Sequence, residues 1–347
     1  MKRLSGAFRR PVCGDAANGA AVCDISDTHD GQGEAFLWEE ADAAACLPVR
    51  APDSNKGTNG RILVIAGSKN MCGAAYLCAR AAYRCGAGLV EIFTCEDNRI
   101  PLQTLIPEAI LTTYAPGERP QTADALARAD GVVLGPGLGR GDSARILLGD
   151  VLSHARVPSV LDADALNLIA EHGLLPMLGE RTDVPWILTP HPMEMARLTG
   201  ISASDWEVDP IGNAASFAHR YGIVVNAKNA RSVITDGRVS FINPTGNSAL
   251  AKGGSGDVLS GICAVLAAQL YAQSPVRMLP DGTEISAALA AASLGAYVHG
   301  LAAEEVSLTM GQRAPLASEI CDAVGTVLFR MERICARNHN EAGGCPA

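Results

Sequence analysis

The sequence predicts an α/β fold: a central, mostly parallel sheet flanked by helices on both faces. Three observations carry this. Short apolar runs recur along the chain, and most end in glycine, proline or an acid. Helix-patterned segments of about a dozen residues separate several of them. No internal repeat or long linker divides residues 36–336, which favours one domain.

The elements follow in order. RILVIAGS (61–68) is a short apolar run closed by Gly-Ser and reads as a buried parallel strand. GAAYLCARAAYRCGAG (73–88) is helical in composition and stops at Gly86 and Gly88. LVEIFT is the next strand. GVVLGPGLG, PSVLDADALNL, PWILTPHP and GIVVNAK each repeat the strand-then-turn pattern, with helices such as SARILLGDVLSHA and MEMARLTG between them. SVITDGRVSFIN reads as a hairpin turning at Asp236-Gly237. In such sheets ligands gather at the carboxyl ends of the strands, where these Gly, Pro, Asp and His residues lie.

Composition sets limits. The 347 residues are 48% apolar and only 4% aromatic, so Ala, Leu, Val and Ile must build the core. A net charge of −9 argues against broad attraction to nucleic acid or anionic membrane. The eleven cysteines include no C-x-x-C pair and read as small buried residues of a reducing cytosol. The start is basic but lacks a following apolar segment, so no signal peptide and no membrane span are expected, and a cytoplasmic location is. Ser286 to Ala303 reads as a buried helix.

Chemistry concentrates in a few stretches. Neither a P-loop nor a G-x-G-x-x-G dinucleotide fingerprint occurs with the right spacing. GGSGD (253–257) lets backbone amides approach a phosphate at the start of a helix. Asp257 there either caps the helix or accepts a proton from a hydroxyl. Asp162 and Asp164, two apart at a strand end, either hold Mg²⁺ through water or cap the next helix. His191, between two prolines, is a turn residue or a ligand contact, with Glu194 favourable in the first helical turn. Lys228 is a solvated charge or a phosphate contact, and His299 a core histidine.

Taken in order, LPVRAPDSNKGTNGRILVIAGS, CGAAYLCARAAYRCGAGLVEIFT, GVVLGPGLG, VLDADALNLIA, ILTPHPMEMARLTG, NPTGNSALAKGGSGDVLSGICAVLAAQ and AYVHGLAAEE resemble the ADP/ATP-dependent NAD(P)H-hydrate dehydratases. The resemblance spans about Leu37 to Met331. It implies a ribokinase-like fold and a lyase that phosphorylates the hydroxyl of hydrated NADH or NADPH, then loses phosphate to restore the cofactor. It implies Asp257 as the acid that activates that hydroxyl. Gly253, Gly254, Ser255 and Gly256 become the anion hole. Ala74, Gly137 and His191, with Asp257, match contacts to the hydrated dinucleotide. Lys228, Asn229, Ala230, Arg231 and Ser232, with Gly256, match nucleotide contacts. Mg²⁺, ADP or ATP as co-substrate, a homotetramer and an epimerase partner are implied in the same way.

Several positions depart from the family pattern. Asn55-Lys56-Gly57 stands for His-Lys-Gly, and Lys228-Asn229-Ala230 for Lys-Gly-Ala, where Asn229 is expected to tolerate a positive φ. Ser255 replaces a Thr, and Met193 a Gly, which is expected to narrow the pocket. The expected layout is an extension over 1–34, the dehydratase domain over 35–336 and a tail over 337–347. AVCDIS (21–26) resembles the end of the epimerase domain that many bacterial members carry upstream. The alternative reading is a ribokinase-like kinase of a vitamin precursor, of hydroxymethylpyrimidine or thiazole type. A nucleotide-binding regulator is the third.

Overall fold

The structure, a computed structural model, describes residues 2–4, 34–279 and 282–341. Most of the 1–34 extension, AVCDIS included, and residues 342–347 lie outside the described residues. Lys2–Leu4 forms β1 and pairs antiparallel with β2 (Glu34–Leu37) at one edge of the sheet.

In chain order there follow α1 (Glu40–Ala45), β3 (Arg61–Ile65), α2 (Cys72–Arg84), β4 (Leu89–Cys95), α3 (Arg99–Leu105), β5 (Ile110–Tyr114), α4 (Ala123–Arg128) and β6 (Gly131–Leu134). Next come α5 (Asp142–His154), β7 (Ser159–Leu161), α6 (Asp164–His172), α7 (Leu175–Glu180), β8 (Trp186–Leu188), α8 (Pro192–Thr199), α9 (Ala203–Trp206), α10 (Pro210–Tyr221) and β9 (Val224–Ala227). The hairpin β10 (Val233–Thr235) and β11 (Val239–Ile242) turns at Asp236-Gly237 as expected, with Thr235 opposite Ser240. Then α11 (Ser255–Gln273), the short pair β12 (Val276–Met278) and β13 (Glu284–Ser286), α12 (Ala287–Met310) and α13 (Ala317–Glu341) complete the chain.

The main sheet has eleven strands in the order β1-β2-β11-β10-β9-β8-β7-β6-β3-β4-β5. Every pairing from β9 through to β5 is parallel, and only β1 and β10 oppose the common direction. Alternating side chains build two cores. Val64, Val133, Val160 and Ile187 face α2, α11, α12 and α13. Leu63, Val132, Leu161 and Leu188 face α5, α6, α8 and α10 on the other side. The scarcity of aromatics shows in the first core, where the alanine-rich faces of α2, α11 and α12 pack closely. Six of the eight described cysteines are buried. α11 is long and apolar enough to cross a bilayer, with mean hydropathy 1.3, but 72% of it is buried in this core.

The strand order reverses between β3 and β6, which opens a crevice at their carboxyl ends. Gly135 follows β6 there with φ +124°, and a Cβ would lie 1.9 Å from the Asp162 carbonyl oxygen. Both the left-handed backbone and the close approach require glycine. Gly135→Ala is expected to lower stability by ~3 kcal/mol or more, read from urea unfolding.

One charge is buried in the sheet itself. Glu91 in β4 is 1% exposed and meets Arg61 at 2.6 Å, Thr112 at 2.8 Å and Arg128 at 3.4 Å. Burial pushes its proton affinity up, but the hydrogen bonds of Thr112 and Arg61 and the two guanidinium charges outweigh that and hold its pKa below the usual value. A depressed pKa stabilises the fold above the unfolded-state value and loses that contribution as pH falls through the folded-state value. Glu91→Gln is expected to cost about 1–3 kcal/mol at pH 7. The difference from wild type should shrink in acid, which denaturation at the two pH values would show.

Candidate active site

The carboxyl ends of β7, β8 and β9 and the start of α11 bring together Asp162, His191, Lys228 and Asp257. Asp162 directly follows β7 and is 1% exposed. Its Oδ1 lies 2.9 Å from Lys228 Nζ, and its Oδ2 accepts a 2.7 Å hydrogen bond from Ser260 on α11. Lys228 directly follows β9, and its backbone N–H donates to Pro190 O at 2.9 Å, which ties the nucleotide-loop candidate to the His191 loop. A Cβ on Gly256 would lie 3.3 Å from Lys228 Nζ, so the ammonium sits against the glycine loop. Burial works against the Lys228 charge. Asp162, Glu194 and Asp257 together outweigh it, and its pKa is raised.

Helix α11 begins after Gly254, the N-cap residue, at φ +90°. The positive φ requires glycine for the turn, and a Cβ there would also press on Leu77 Cδ1 of α2 at 2.5 Å. Gly256 and Asp257 occupy the second and third helical positions, where backbone N–H groups have no intrahelical acceptor and the helix end is partly positive. Asp257 is not the N-cap of α11, a position held by Gly254, and lies in the first turn instead. Its carboxylate has no hydrogen-bond or ion-pair partner among the described residues, and it is half-buried. Burial raises its pKa to about 6, with Asp162 adding to the rise and Lys228 opposing it. A carboxylate without partners, tuned towards neutral pH beside an ammonium, has the properties of a general base.

Asp162 and Asp164 take different hydrogen-bond partners, yet both raise the Asp257 pKa. Ala163 between them has φ +49° and ψ −116°, a strained conformation for alanine. Asp164 starts α6 without capping it, and its Oδ2 accepts from Gly139 N at 2.8 Å, fixing the GPGLG loop. Ser68 Oγ holds the same loop by donating to Gly137 O at 2.9 Å. Ala74 and Gly137 meet each other, since a Cβ on Gly137 would lie 2.8 Å from that of Ala74.

His191 is the N-cap of α8, and Pro192 its first residue. The capping box with Glu194 was not foreseen. Burial raises the Glu194 pKa to about 7, with Lys228 opposing and Asp162 assisting. Burial, reinforced by Lys228, lowers that of His191. Met193 is 57% exposed beside it. His299 is a buried core histidine, 3.5 Å from Ser255 Oγ, and burial lowers its pKa to about 4.

The 228–232 loop is exposed except at its ends. Asn229 has no positive φ, so it stands for glycine here without backbone strain. Its Oδ1 accepts from Ala230 N at 2.8 Å, and Ser232 Oγ donates to Asn229 O at 3.3 Å. The Arg231 guanidinium donates to Pro244 O at 2.6 Å and braces the loop before GGSGD. A cavity of about 40 Å³ lies between Pro190, Pro192, Lys228, Asn229 and Arg231.

Sequence reasoning missed three supports. Ser260 lies one helical turn after Asp257 and looks like any buried serine in the sequence. Asn243 donates to Thr245 O and Ala296 O, both at 3.1 Å, and fixes the loop start. Lys252 Nζ donates to Arg313 O at 2.7 Å and to Ala314 O at 3.1 Å, fixing its end. A cavity of about 820 Å³ lies at the opposite end of the sheet, between Asn55, Gly86, Gln269 and Phe329. It contains none of the Asp162, Lys228 and Asp257 cluster, so the chemistry places the candidate site at the carboxyl ends instead.

A family model described as NAD(P)H-hydrate dehydratase matches residues 62–324. The chain belongs to that family. It is 38% identical over 297 residues to the bifunctional NAD(P)H-hydrate repair enzyme Nnr of Moorella thermoacetica, covering 82% of this chain and 52% of that one. The chain thus spans about half the length of that relative. Among dehydratase-family structures, the ADP/ATP-dependent NAD(P)H-hydrate dehydratase of Bacillus subtilis, co-crystallised with ATP/Mg²⁺, is 30% identical. It aligns with TM-score 0.69 over 85% of this chain and 98% of that one. A ribokinase-like superfamily protein of Enterococcus faecalis aligns with TM-score 0.72 at 25% identity, over 86% of this chain and 96% of that one. The fold is therefore ribokinase-like, as the motifs of the dehydratase family imply.

Proposed function

We propose that this protein uses ADP or ATP to dehydrate hydrated NADH and NADPH. One observation carries the reading: the partnerless carboxylate of Asp257 stands at an amide-lined helix start, beside the Lys228 ammonium. Asp257 takes the proton of the substrate's ring hydroxyl. The freed oxygen attacks the terminal phosphorus of the nucleotide, and the bond to the bridging oxygen breaks, releasing AMP or ADP. The amides at Gly253, Gly254, Ser255 and Gly256 and the charge of Lys228 meet the oxygens of the transferring group. Phosphorylation turns a poor leaving group into a good one. The ring nitrogen then expels phosphate, and loss of a proton from the adjacent carbon restores the reduced ring.

Ala74, Gly137 and His191 are assigned to the dinucleotide, and Lys228 to Ser232 to the nucleotide. Among the described residues no cluster of three metal-binding side chains occurs. Asp164 and Asp162 would hold a Mg²⁺ through water, and the ion would supply charge neutralisation to the nucleotide phosphates. A cytoplasmic homotetramer served by an epimerase belongs to the same proposal, and the bifunctional name of the Moorella relative supports a second activity nearby. Light scattering tests the assembly.

The test of function is direct. The purified protein is incubated with enzymatically hydrated NADH, Mg²⁺ and either ADP or ATP, and absorbance of the restored reduced ring is followed. Recovery with one or both nucleotides is expected. No recovery with either, together with phosphorylation of a hydroxymethylpyrimidine or thiazole alcohol, would replace this reading with the kinase one.

A further inference from the structure

Phosphoryl transfer from a bound nucleotide needs an acceptor oxygen and a base, and here the base is ready before any acceptor arrives. Burial raises the Asp257 pKa only to about 6, so most of the acid is ionised at pH 7. Its surroundings are open. Asp257 is half-buried, and a Cβ on Gly253 would have nothing within 4 Å. Met193 is 57% exposed, the His191 side chain is 46% exposed, and Asn229, Ala230 and Arg231 are exposed. The wall that α2 presents is low. Leu77 lies against Gly254, and three residues before it stands only the methyl of Ala74, packed on Gly137. The loops around the acid are also tied to the framework. Lys228 N donates to Pro190 O, the Arg231 guanidinium to Pro244 O, and Lys252 Nζ to Arg313 O and Ala314 O. Enzymes that must keep water from the reacting centre close a lid over it. Loops held in this way resist that closure.

We propose that the site has a second activity: with nucleotide bound and no hydrate present, it hydrolyses the nucleotide, a water molecule taking the place of the ring hydroxyl. Asp257 takes one proton of that water. The water oxygen bonds to the terminal phosphorus, and the bond from phosphorus to the bridging oxygen breaks. The bridging oxygen leaves with AMP when the donor is ADP, or with ADP when it is ATP. Inorganic phosphate is released with one oxygen from solvent, and the proton on Asp257 returns to water. The inference rests on the function proposed above for its nucleotide and its base. Bound hydrate suppresses the second activity, because its hydroxyl and the water need the same place beside Asp257.

The two routes leave different phosphate. Hydrated NADH made in ordinary water passes its own hydroxyl oxygen to phosphate, whereas hydrolysis in H₂¹⁸O puts one ¹⁸O there. The purified protein is incubated in H₂¹⁸O with Mg²⁺ and ADP or ATP, and phosphate is read by mass spectrometry. Without hydrate, singly labelled phosphate is expected, and Asp257→Asn should lower its rate of release by about 10²–10⁴-fold. Urea unfolding confirms that the variant is folded. Release no faster from wild type than from Asp257→Asn overturns the proposal. With saturating hydrate, labelled phosphate should fall towards zero while unlabelled phosphate appears in step with restored NADH. Labelled release that persists unchanged while NADH is restored places hydrolysis elsewhere and also overturns it. The two readings fail separately. Restored NADH with no labelled phosphate at any hydrate concentration sinks the second activity and leaves the proposed function standing. Labelled release that depends on Asp257, with no NADH restored, sinks the proposed function and upholds hydrolysis at this acid.

Discussion

Asp257→Asn is expected to lower turnover of hydrated NADH by about 10²–10⁴-fold while making the protein more stable. The first effect follows from the proposed proton transfer. The second follows from the absence of a hydrogen-bond or ion-pair partner for the carboxylate among the described residues. A folded-state pKa of about 6 against an ordinary 3.8 means that the fold disfavours the charged form. Stability associated with this group is therefore complete below pH 3.8 and lost as pH rises through about 6. At pH 7 the ionised carboxylate costs about 1–3 kcal/mol, allowing for its partial access to solvent. Asparagine removes that cost without changing shape. Urea unfolding of the two proteins should agree near pH 4 and diverge towards pH 7, with the variant the more stable. In the wild type, kcat/KM should fall on acidification with an apparent pKa of about 6, because the base must be ionised. Nucleotide affinity, measured by calorimetry, should be largely retained. A structural cap would behave in the opposite way: its loss would lower stability, by about 0.5–2 kcal/mol, and leave the rate near normal.

The contrast shows what the sequence could convey. The α/β architecture was legible because each strand-then-turn segment is a local pattern, and RILVIAGS, GVVLGPGLG and GIVVNAK became β3, β6 and β9. The cap-or-catalyst ambiguity at Asp257 was not legible, because both roles favour an acid at a helix start. The helix frame removes the N-cap reading: α11 starts at Ser255, which puts the acid two residues inside the helix. Two-residue spacing suggested that Asp162 and Asp164 share a face. The positive φ of Ala163 breaks that alternation, and nothing in alanine announces it. The tolerance of Asn229 for a positive φ is not called on, because its loop needs no left-handed residue there. Ser260 and Glu194 acquire their roles only when β7, β9, α8 and α11 converge, so their partners are distant in sequence or hidden in a cap.

That convergence makes Lys228 the second residue with a large expected effect, on stability as well as on rate. Lys228→Met leaves Asp162 as a buried charge, its side chain 2% exposed, with Ser260 as its only remaining side-chain partner among the described residues. Breaking a buried pair in this way costs about 3–5 kcal/mol. Removing the ammonium from the phosphoryl position should also lower turnover by about 10²–10³-fold. The two losses are separable. Lys228→Met combined with Asp162→Asn removes both charges and should recover most of the stability, while the rate stays low, because only the ammonium meets the transferring group. If the double variant regains activity along with stability, Lys228 is structural and its proposed role fails. The acid gives an independent readout. Lys228 lowers the Asp257 pKa and Asp162 raises it. The acid limb of the pH–rate profile should therefore move above the wild-type value in Lys228→Met and below it in Asp162→Asn. Opposite shifts from two residues 2.9 Å apart would separate electrostatic tuning from general damage to the fold, which would move both the same way.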